Sequence, residues 1–253
     1  MAYDFSGKTA LVTGAASGIG AACVEALAKG GAATLVLVDR DADKLDALDL
    51  ECQVVRHAGD VADAELWARV EVEGHRFNRA VVNAGIAGKA APIVKMEMDD
   101  WRKVMAVNLD GAFLSLRTAM RNAAEDCAIV LTASVTGIKA NPGTGAYASS
   151  KAAVMQLVRI AAVEGAQHGI RVNAIAPGGV DTPLWDTQHQ IRDAIDKAGG
   201  DRAAVIAGMA AQTTPLGRFA SADEIAAQVM FLLSDAASTI TGTTLVTDGG
   251  FSL

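Results

Sequence analysis

Short apolar runs alternate with longer segments of helical periodicity along this chain. Strands are predicted at residues 8–13, 34–39, 53–57, 80–83, 128–133, 171–176 and 243–247. Helices are predicted at residues 17–29, 41–48, 62–70, 98–124 with a break near 110–111, 146–167 and 221–233. The last helix has Ser221 as N-cap and Glu224 three residues later, which is the spacing of a capping box.

This alternation predicts an α/β fold, a doubly wound parallel sheet of seven strands flanked by helices on both faces. The continuous apolar run TLVLVD at residues 34–39 is typical of a strand that is buried on both faces. We expect one domain over residues 1–253, with the irregular stretch 183–212 as a mobile lid over a binding site. Ligands bind such sheets beyond the carboxyl ends of the strands, so the chemical residues should directly follow strands.

Composition narrows the class of protein. The formal net charge of -7 argues against a nucleic-acid binder, which would show a basic face. Cys23, Cys52 and Cys127 are scattered, and the four histidines show no ligand spacing, so neither a disulfide framework nor a metal site is expected. No leader segment or long apolar stretch is recognisable, and we expect a cytoplasmic protein without a membrane segment.

The first predicted strand runs directly into a glycine-rich turn. Gly14, Gly18 and Gly20 have the spacing G-x-x-x-G-x-G, with Ser17 and Ile19 between them. Glycine lets the backbone approach a pyrophosphate, and the helix that follows points its free N–H groups at the phosphates. A glycine-rich turn alone is common, but its place between a strand and a helix predicts a Rossmann-like dinucleotide site.

The second strand ends at Asp39, about 20 residues after the glycine turn. A carboxylate there accepts hydrogen bonds from a ribose 2′-OH and repels a 2′-phosphate, which favours NAD over NADP. Arg40 complicates the prediction, because a guanidinium can bind a phosphate. Further contacts to the cofactor are expected after the third and fourth strands. Asp60 and Val61 are expected to contact the adenine. The backbone of Asn83, Ala84 and Gly85 is expected to approach the cofactor closely.

Tyr147 and Lys151 are four residues apart on a predicted helix and therefore share one helical face. The attraction between a lysine cation and a phenolate about 4 Å away is worth roughly 4 kcal/mol at an effective dielectric of about 20. That attraction would lower the pKa of the phenol by about three units. Such a pair can arise by chance on a surface. Ser134 follows the fifth strand and can donate to a substrate oxygen, and Asn108 can hold a water near the lysine.

Together these residues resemble the classical short-chain dehydrogenase/reductase family, over essentially the whole chain. The matching motifs are T-G-x-x-x-G-x-G, the acidic strand end, N-A-G, the Asn–Ser–Tyr–Lys tetrad and P-G-x-x-x-T at Pro177, Gly178 and Thr182. Asn173 and the closing Asp248-Gly249-Gly250 also fit. Val82 departs from the family's usual N-N-A-G, and the segment between Asp60 and Val82 is short.

The resemblance implies a nicotinamide-dependent oxidoreductase. Tyr147 would take the proton of a secondary alcohol, Lys151 would also bind the nicotinamide ribose, Ser134 would hold the substrate oxygen and Asn108 would extend a proton relay. Pro177, Gly178, Val180 and Thr182 would face the nicotinamide. The resemblance also implies a homotetramer, and the nearly all-apolar residues 152–163 agree with a helix that is covered on more than its sheet face.

The substrate is predicted to be a small molecule, and three loops indicate its chemical class. The loops 85–94, 138–144 and 183–212 carry Ile86, Ile138 and Trp185 and little charge, which favours an apolar or cyclic secondary alcohol. An alternative is an NADPH-dependent 3-oxoacyl thioester reductase, but Asp39 and the acidic residues 122–127 speak against it. A non-catalytic nucleotide sensor is a second alternative, and the complete tetrad disfavours it.

Overall fold

A computed structural model describes residues 3–253. Seven parallel strands form one sheet in the order β3-β2-β1-β4-β5-β6-β9. The strands are β1 Thr9–Thr13, β2 Thr34–Asp39, β3 Gln53–Ala58, β4 Phe77–Val82, β5 Ala123–Thr132, β6 Arg171–Pro177 and β9 Thr244–Thr247. The chain builds outward from β1 to one edge, returns beside β1 with β4 and continues to the other edge. The predicted fold is confirmed, and the crevice at the point of reversal lies between β1 and β4.

Helices cover both faces of the sheet. They are α1 Gly18–Lys29, α2 Ala42–Asp46, α3 Ala64–Val72, α4 Met98–Met105, α5 Gly111–Arg121, α6 Gly145–Ala166, α7 His189–Lys197, α8 Arg202–Thr213 and α9 Ala222–Leu233. One core cluster joins the sheet to α3, α5 and α6 through residues such as Trp67, Leu116 and Val158. A second cluster joins the opposite face to α1 and α9 through Leu27 and Val229.

Most predicted boundaries hold to within two residues, because the capping chemistry is local. Asp63 accepts from the backbone N–H of Glu65 and so begins α3. The predicted capping box of α9 is present, with Ser221 and Glu224 bonded reciprocally. The Arg218 guanidinium also binds Glu224 and holds the pKa of that carboxyl at about 2.

The predicted boundaries between α5, β4 and β5 are wrong. The helix ends at Arg121 rather than 124, β5 begins at Ala123 rather than 128, and β4 begins at Phe77 rather than 80. The side chain of Asn122 folds back onto the carbonyl of Thr118, and the Asn122 carbonyl accepts from the N–H of Phe77. Pairing between these distant segments extends β4 and β5 into residues that are partly polar. The apolar pattern in the sequence therefore does not show where the two strands begin.

The long central helical segment divides where the break was predicted. Between α4 and α5 lies a π-helical stretch, Ala106–Asp110, which contains Asn108. A Cβ atom on Gly111 would lie 2.6 Å from Cγ2 of Val61, so this close approach requires glycine. The π-helical stretch thus fits Asn108 into the core beside the crevice, where it is 1% exposed.

Residues 183–212, which the sequence predicts to be a lid and which we call the lid segment, consist of a 3-10 turn at Trp185–Thr187 followed by α7 and most of α8. At its base a small parallel pair, β7 Val180–Asp181 and β8 Ala220–Ser221, joins the two ends of the segment. This pair was not predicted, because two-residue strands leave no periodic signal. Within residues 3–253, no helix combines the length and apolar character needed to cross a membrane.

Candidate active site

The glycine turn after β1 forms a cradle at the N-terminus of α1. Gly14 and Gly18 have φ values of +64° and +54°, which favour glycine. A Cβ atom on Gly20 would overlap the carbonyl oxygen of Gly14. Ser17 is the N-cap residue, exposed at the crevice, and Ile19 is half-buried behind the turn. The free N–H groups and the open turn fit an anionic pyrophosphate.

Thr13, the last residue of β1, holds the two sides of the crevice together. Its buried hydroxyl oxygen accepts from the backbone N–H groups of Asn83, at 2.9 Å, and Ala84, at 3.1 Å. The Asn83 amide in turn donates to the Gly14 carbonyl at 3.4 Å. Val82 is buried in the core, where it contributes packing in place of the hydrogen bonds of the family's asparagine. The N-A-G segment therefore lies directly against the glycine turn.

Asp39 lies beside the same turn. Its Oδ2 atom accepts from the backbone N–H of Ala16 at 3.0 Å, and Oδ1 accepts from that of Asp41 at 3.1 Å. Asp39 is only half-buried and keeps further lone pairs for other donors, and Arg40 is exposed next to it. This arrangement fits a ribose hydroxyl pair, the group for which the sequence predicts Asp39.

The predicted adenine contacts differ from each other. Asp60 is exposed and accepts from the N–H of Ala62 at 2.9 Å. The Val61 side chain is 5% exposed and packs on Gly111, and its carbonyl accepts from Trp67 Nε1 at 2.8 Å. An adenine contact at Val61 would therefore come from its main chain, whereas Asp60 can offer its side chain.

Tyr147 and Lys151 lie one turn apart on α6, as predicted. The Lys151 Nζ atom lies 5.8 Å from the centre of the Tyr147 ring and donates to the Thr132 carbonyl at 2.7 Å. A Cβ atom on Gly85 would lie 3.4 Å from Nζ of Lys151 and 3.3 Å from Oδ1 of Asn108. The structure thus brings the tyrosine, the lysine and the asparagine to the N-A-G loop at the carboxyl ends of β4 and β5.

The predicted effect of Lys151 on Tyr147 is wrong. Burial raises the pKa of Tyr147 above its usual value of 10, and a hydrogen bond from Ser134 offsets only part of that rise. Burial also lowers the pKa of Lys151 to about 8. The lysine directs its ammonium at a carbonyl group, and desolvation, which the spacing of the two residues does not reveal, sets the direction of both pKa shifts.

Asn108 is engaged on both sides of its amide. Oδ1 accepts from the backbone N–H of Ile86 at 2.8 Å, while Nδ2 donates to the Ile86 carbonyl and to Ser150 Oγ. Ser150 Oγ donates onward to the carbonyl of Tyr147 at 2.7 Å. The side chain therefore links the loop after β4 to the turn of α6 that carries Tyr147. Both protons of its Nδ2 are used, and one lone pair of Oδ1 is left for a water.

Ser134 begins a 3-10 turn, Val135–Gly137, directly after β5. Its side chain is 7% exposed and accepts from the backbone N–H of Thr136 at 3.3 Å and from its hydroxyl at 3.0 Å. Since Ser134 lowers the pKa of Tyr147, the two hydroxyl groups share one site.

The segment after β6 closes the crevice opposite the glycine turn. Pro177 ends β6, and a Cβ atom on Gly178 would lie 2.7 Å from Cβ of Asp248. Thr182 is buried, and its Cγ2 would lie 3.3 Å from a Cβ atom on Gly18. The P-G-x-x-x-T residues therefore reach across to the N-terminus of α1, where a nicotinamide would follow the pyrophosphate.

Trp185 anchors the base of the lid segment. Its indole N–H donates to the Val180 carbonyl at 2.7 Å. Its ring stacks on Phe219, with centroids 5.6 Å apart and an interplanar angle of 7°. The predicted substrate contact at Trp185 is thus limited to the ring face that Phe219 leaves open.

Known proteins resemble the chain over its full length. A family model described as Enoyl-(Acyl carrier protein) reductase matches residues 14–252. Cis-4-hydroxycyclohexanecarboxylate dehydrogenase of Sinomonas cyclohexanicum is 38% identical, covering 100% of this chain and 99% of the relative. Galactitol 2-dehydrogenase of Rhizobium johnstonii is 37% identical, covering 99% and 97%. The crystal structure of L-sorbose reductase from Gluconobacter frateurii, in complex with NADPH and L-sorbose, has a TM-score of 0.89 at 30% identity and covers 100% of this chain and 99% of that one.

The chain belongs to the classical short-chain dehydrogenase/reductase family. It is an oxidoreductase of CH–OH groups, which transfers a hydride between a nicotinamide cofactor and a secondary alcohol or ketone. The resemblance drawn from the sequence motifs is therefore confirmed.

Several contacts within this short-chain dehydrogenase/reductase site were not predicted, although Thr13 is the first residue of the matched T-G-x-x-x-G-x-G motif. Thr13 and Thr132 each end a strand at the crevice, and Ser150 precedes Lys151. Strand-end position was a usable signal for the two threonines. Arg202, at the start of α8, binds Asp181, Asp186 and the Thr182 carbonyl. Only the folded lid reveals that set of contacts, because its members are far apart in the sequence.

Proposed function

We propose that the protein is an NAD-dependent dehydrogenase of apolar or cyclic secondary alcohols, with Tyr147 as its proton-transfer group. The observation that carries the proposal is the convergence of Tyr147, Lys151 and Ser134 at the end of β5, beside the glycine cradle. A phenol and a serine hydroxyl at one point can hold a single substrate oxygen between them.

In the proposed binding mode, the cradle of Gly14, Ser17, Gly18, Ile19 and Gly20 holds the pyrophosphate, and Thr182 lies near the carboxamide. The bound nicotinamide supplies the hydride acceptor or donor. Lys151, with its ammonium fixed on Thr132, has further protons to donate to the nicotinamide ribose. Pro177, Gly178 and Val180 limit the space opposite the glycine turn.

The protein's own part of the reaction is to bind and move one proton. Ser134 donates to the substrate oxygen, and Tyr147 exchanges a proton with that same oxygen. Because burial raises the pKa of Tyr147, its phenol is protonated at neutral pH and ready to donate to a ketone. Alcohol oxidation needs the phenolate and therefore gains at alkaline pH.

Asn108 supports this site through its position. Its amide fixes Ile86 and, through Ser150, the main chain at Tyr147. We therefore assign the side chain to holding the loop after β4 against α6. A contribution of Asn108 to a proton relay would come from its main chain or from the second lone pair of Oδ1.

The NAD preference is proposed from Asp39. Its carboxylate is fixed by the N–H groups of Ala16 and Asp41 and would repel a 2′-phosphate at the edge of the cradle. Arg40 and the NADPH bound to L-sorbose reductase favour the other cofactor. A fixed carboxylate outweighs an exposed arginine, because the arginine can turn into solvent.

An apolar or cyclic substrate is proposed from the surface around the crevice. Ile93, Val94 and Ile138 expose 82%, 91% and 54% of their side chains on the loops after β4 and β5. These two loops are joined at Ala91 and Thr144. The names of the two dehydrogenase relatives specify a ring alcohol and a polyol, and the apolar loops favour the ring alcohol.

A 3-oxoacyl thioester reductase using NADPH remains the second candidate function. Glu125 and Asp126 are exposed in the first half of β5, at the end of the sheet opposite the crevice, so Asp39 rather than this acidic segment argues against that candidate. The deciding experiment is an assay at 340 nm with NAD and NADP against cis-4-hydroxycyclohexanecarboxylate, cyclohexanol, galactitol and, in reverse, an acetoacetyl thioester. NAD-linked turnover of the ring alcohols supports the proposal, and thioester reduction with NADPH alone contradicts it.

Assembly and location are proposed on separate grounds. Ile160 and Val163 on α6 and Phe113 on α5 expose 47%, 78% and 45% of their side chains, which fits a homotetramer that covers these helices. A tetrameric mass by light scattering at micromolar concentration supports the assembly, and a monomeric mass excludes it.

The three cysteines are free thiols, which fits a reducing cytoplasm.

A further inference from the structure

Ser134 receives both of its incoming hydrogen bonds from one residue, Thr136. The Thr136 backbone N–H donates at 3.3 Å and the Thr136 hydroxyl at 3.0 Å. Ser134 is buried at the end of β5, so bulk water has little access to compete for its oxygen. Thr136 itself is half-buried in the middle of the 3-10 turn that Ser134 begins.

These two bonds limit what the Ser134 hydroxyl can do. A hydroxyl group has two acceptor lone pairs and one proton. Once Thr136 occupies both lone pairs, the proton of Ser134 points to a different partner. The Tyr147 hydroxyl, whose pKa Ser134 lowers, is the neighbour toward which that proton can point, and a substrate oxygen would lie between the same two hydroxyl groups.

We infer that Thr136 is a positioning residue for hydride transfer, whose hydroxyl fixes Ser134 as a donor toward the substrate oxygen. The inference rests on the proposed function. During oxidation the alcohol oxygen gains negative charge as its proton leaves, and a hydroxyl that can only donate stabilises that charge. Hydrogen bonds in series also polarise one another, so the Thr136 hydroxyl strengthens the bond that Ser134 donates.

The Thr136 hydroxyl is separable from the role of this turn in the fold. Ser134 caps the turn by accepting from the Thr136 backbone N–H, and any residue at position 136 except proline keeps that bond. Thr136→Val therefore removes the hydroxyl donor and preserves the shape and the cap. Thr136→Ser keeps the donor and loses only a methyl group, which makes it the matched control.

The test is a double-mutant cycle with NAD and cyclohexanol, or the ring alcohol of the panel that is turned over fastest. Thr136→Val should lower kcat about tenfold with KM changed less than about twofold, while Thr136→Ser stays within about twofold of the wild type. In a Ser134→Ala background, Thr136→Val should change kcat by less than about twofold. The alkaline rise of the oxidation rate should also move to higher pH in Thr136→Val, because Ser134 then stabilises the phenolate less.

Three results would overturn the inference. They are an unchanged kcat in Thr136→Val, a failure of Thr136→Ser to restore kcat, and an equal loss in the Ser134→Ala background. If Thr136→Val does not fold, Thr136→Ala carries the same comparison. Failure of the proposed function looks different, because Ser134→Ala and Tyr147→Phe would then retain the activity of the wild type.

Discussion

The ammonium group of Lys151 donates a hydrogen bond of 2.7 Å to the carbonyl oxygen of Thr132, the last residue of β5. Lys151 is 4% exposed, and burial lowers its pKa from 10.5 to about 8. One carbonyl does not replace the hydration of an ammonium ion, so the fold bears a cost in stability to hold this group at the crevice.

Replacing Lys151 by methionine should therefore stabilise the protein at neutral pH. The folded-state pKa lies below that of the unfolded chain, so the penalty is complete below pH 8 and disappears as the pH rises toward 10.5. We expect Lys151→Met to raise the free energy of unfolding by about 1–3 kcal/mol at pH 7, and by progressively less above pH 8. Urea unfolding at a series of pH values measures this, with the exposed Lys95→Met as control. A destabilised Lys151→Met at pH 7 would contradict the account.

The pH dependence of the reaction should differ between its two directions. Because burial raises the pKa of Tyr147, the phenol form persists through neutral pH. We expect the oxidation rate to rise from pH 7 to beyond pH 9 and the reduction rate to fall over the same range. Initial rates in both directions in overlapping buffers provide the measurement. An oxidation rate that is flat between pH 6 and pH 9 would show that the tyrosine titrates elsewhere.

Asp39 should set the cofactor preference. Asp39→Ser removes the charge that repels a 2′-phosphate and leaves Arg40 free to bind it. We expect the ratio of kcat/KM for NAD to that for NADP to fall on the order of 100-fold, which corresponds to about 2.7 kcal/mol. The matched variant Arg40→Ala should change the ratio in the opposite direction. If Asp39→Ser left the ratio unchanged, the cofactor assignment would lose its basis.

Arg202 should hold the lid segment in its closed position. Its guanidinium binds Asp181 at 2.7 Å, Asp186 at 2.8 Å and the Thr182 carbonyl at 3.2 Å, so it joins the start of α8 to the residues beside the nicotinamide site. We expect Arg202→Gln to raise KM for the alcohol about fivefold with a smaller effect on kcat. Arg192→Gln, on the exposed side of α7 in the same segment, is the control.

The exposure of the Arg202 ion pairs predicts how KM should depend on salt. The pairs with Asp181 and Asp186 are partly exposed, so added salt should weaken them and raise KM in the wild type. The Arg202→Gln variant should lack that salt dependence. Equal salt responses in the two proteins would mean that the lid closes without this contact.

The strands and the cofactor cradle could be predicted because their causes are local. The apolar run at β2 and the glycines after β1 are readable from neighbouring residues alone. The start of β5 could not be predicted, because Ala123 becomes a strand by pairing with Phe77, which is distant in the sequence. Arg79 also concealed the start of β4 from the apolar pattern, because its buried guanidinium lies within the strand and donates through Nη1 to the carbonyls of Asn78 and Asp126, while its Nε atom has no partner within residues 3–253.

The catalytic residues could be located but their energetics could not. The four-residue spacing placed Tyr147 and Lys151 on one helical face, and the structure agrees. The direction of the Tyr147 pKa shift depends on how deeply the site is buried, which no spacing reveals. The second hydrogen-bonding partners, Thr136 for Ser134 and Ser150 for Asn108, likewise follow from side-chain directions within the folded crevice.

The central claim is that Tyr147 transfers the proton, and Tyr147→Phe tests it most directly. The variant removes one hydroxyl from a side chain of α6 and keeps the ring, so the fold and the cradle should persist. Titration with NAD, followed by tryptophan fluorescence, should give a Kd within about threefold of the wild type, while kcat falls by a factor on the order of 100 or more. A variant that binds NAD normally and keeps more than about a tenth of the wild-type kcat would contradict the account.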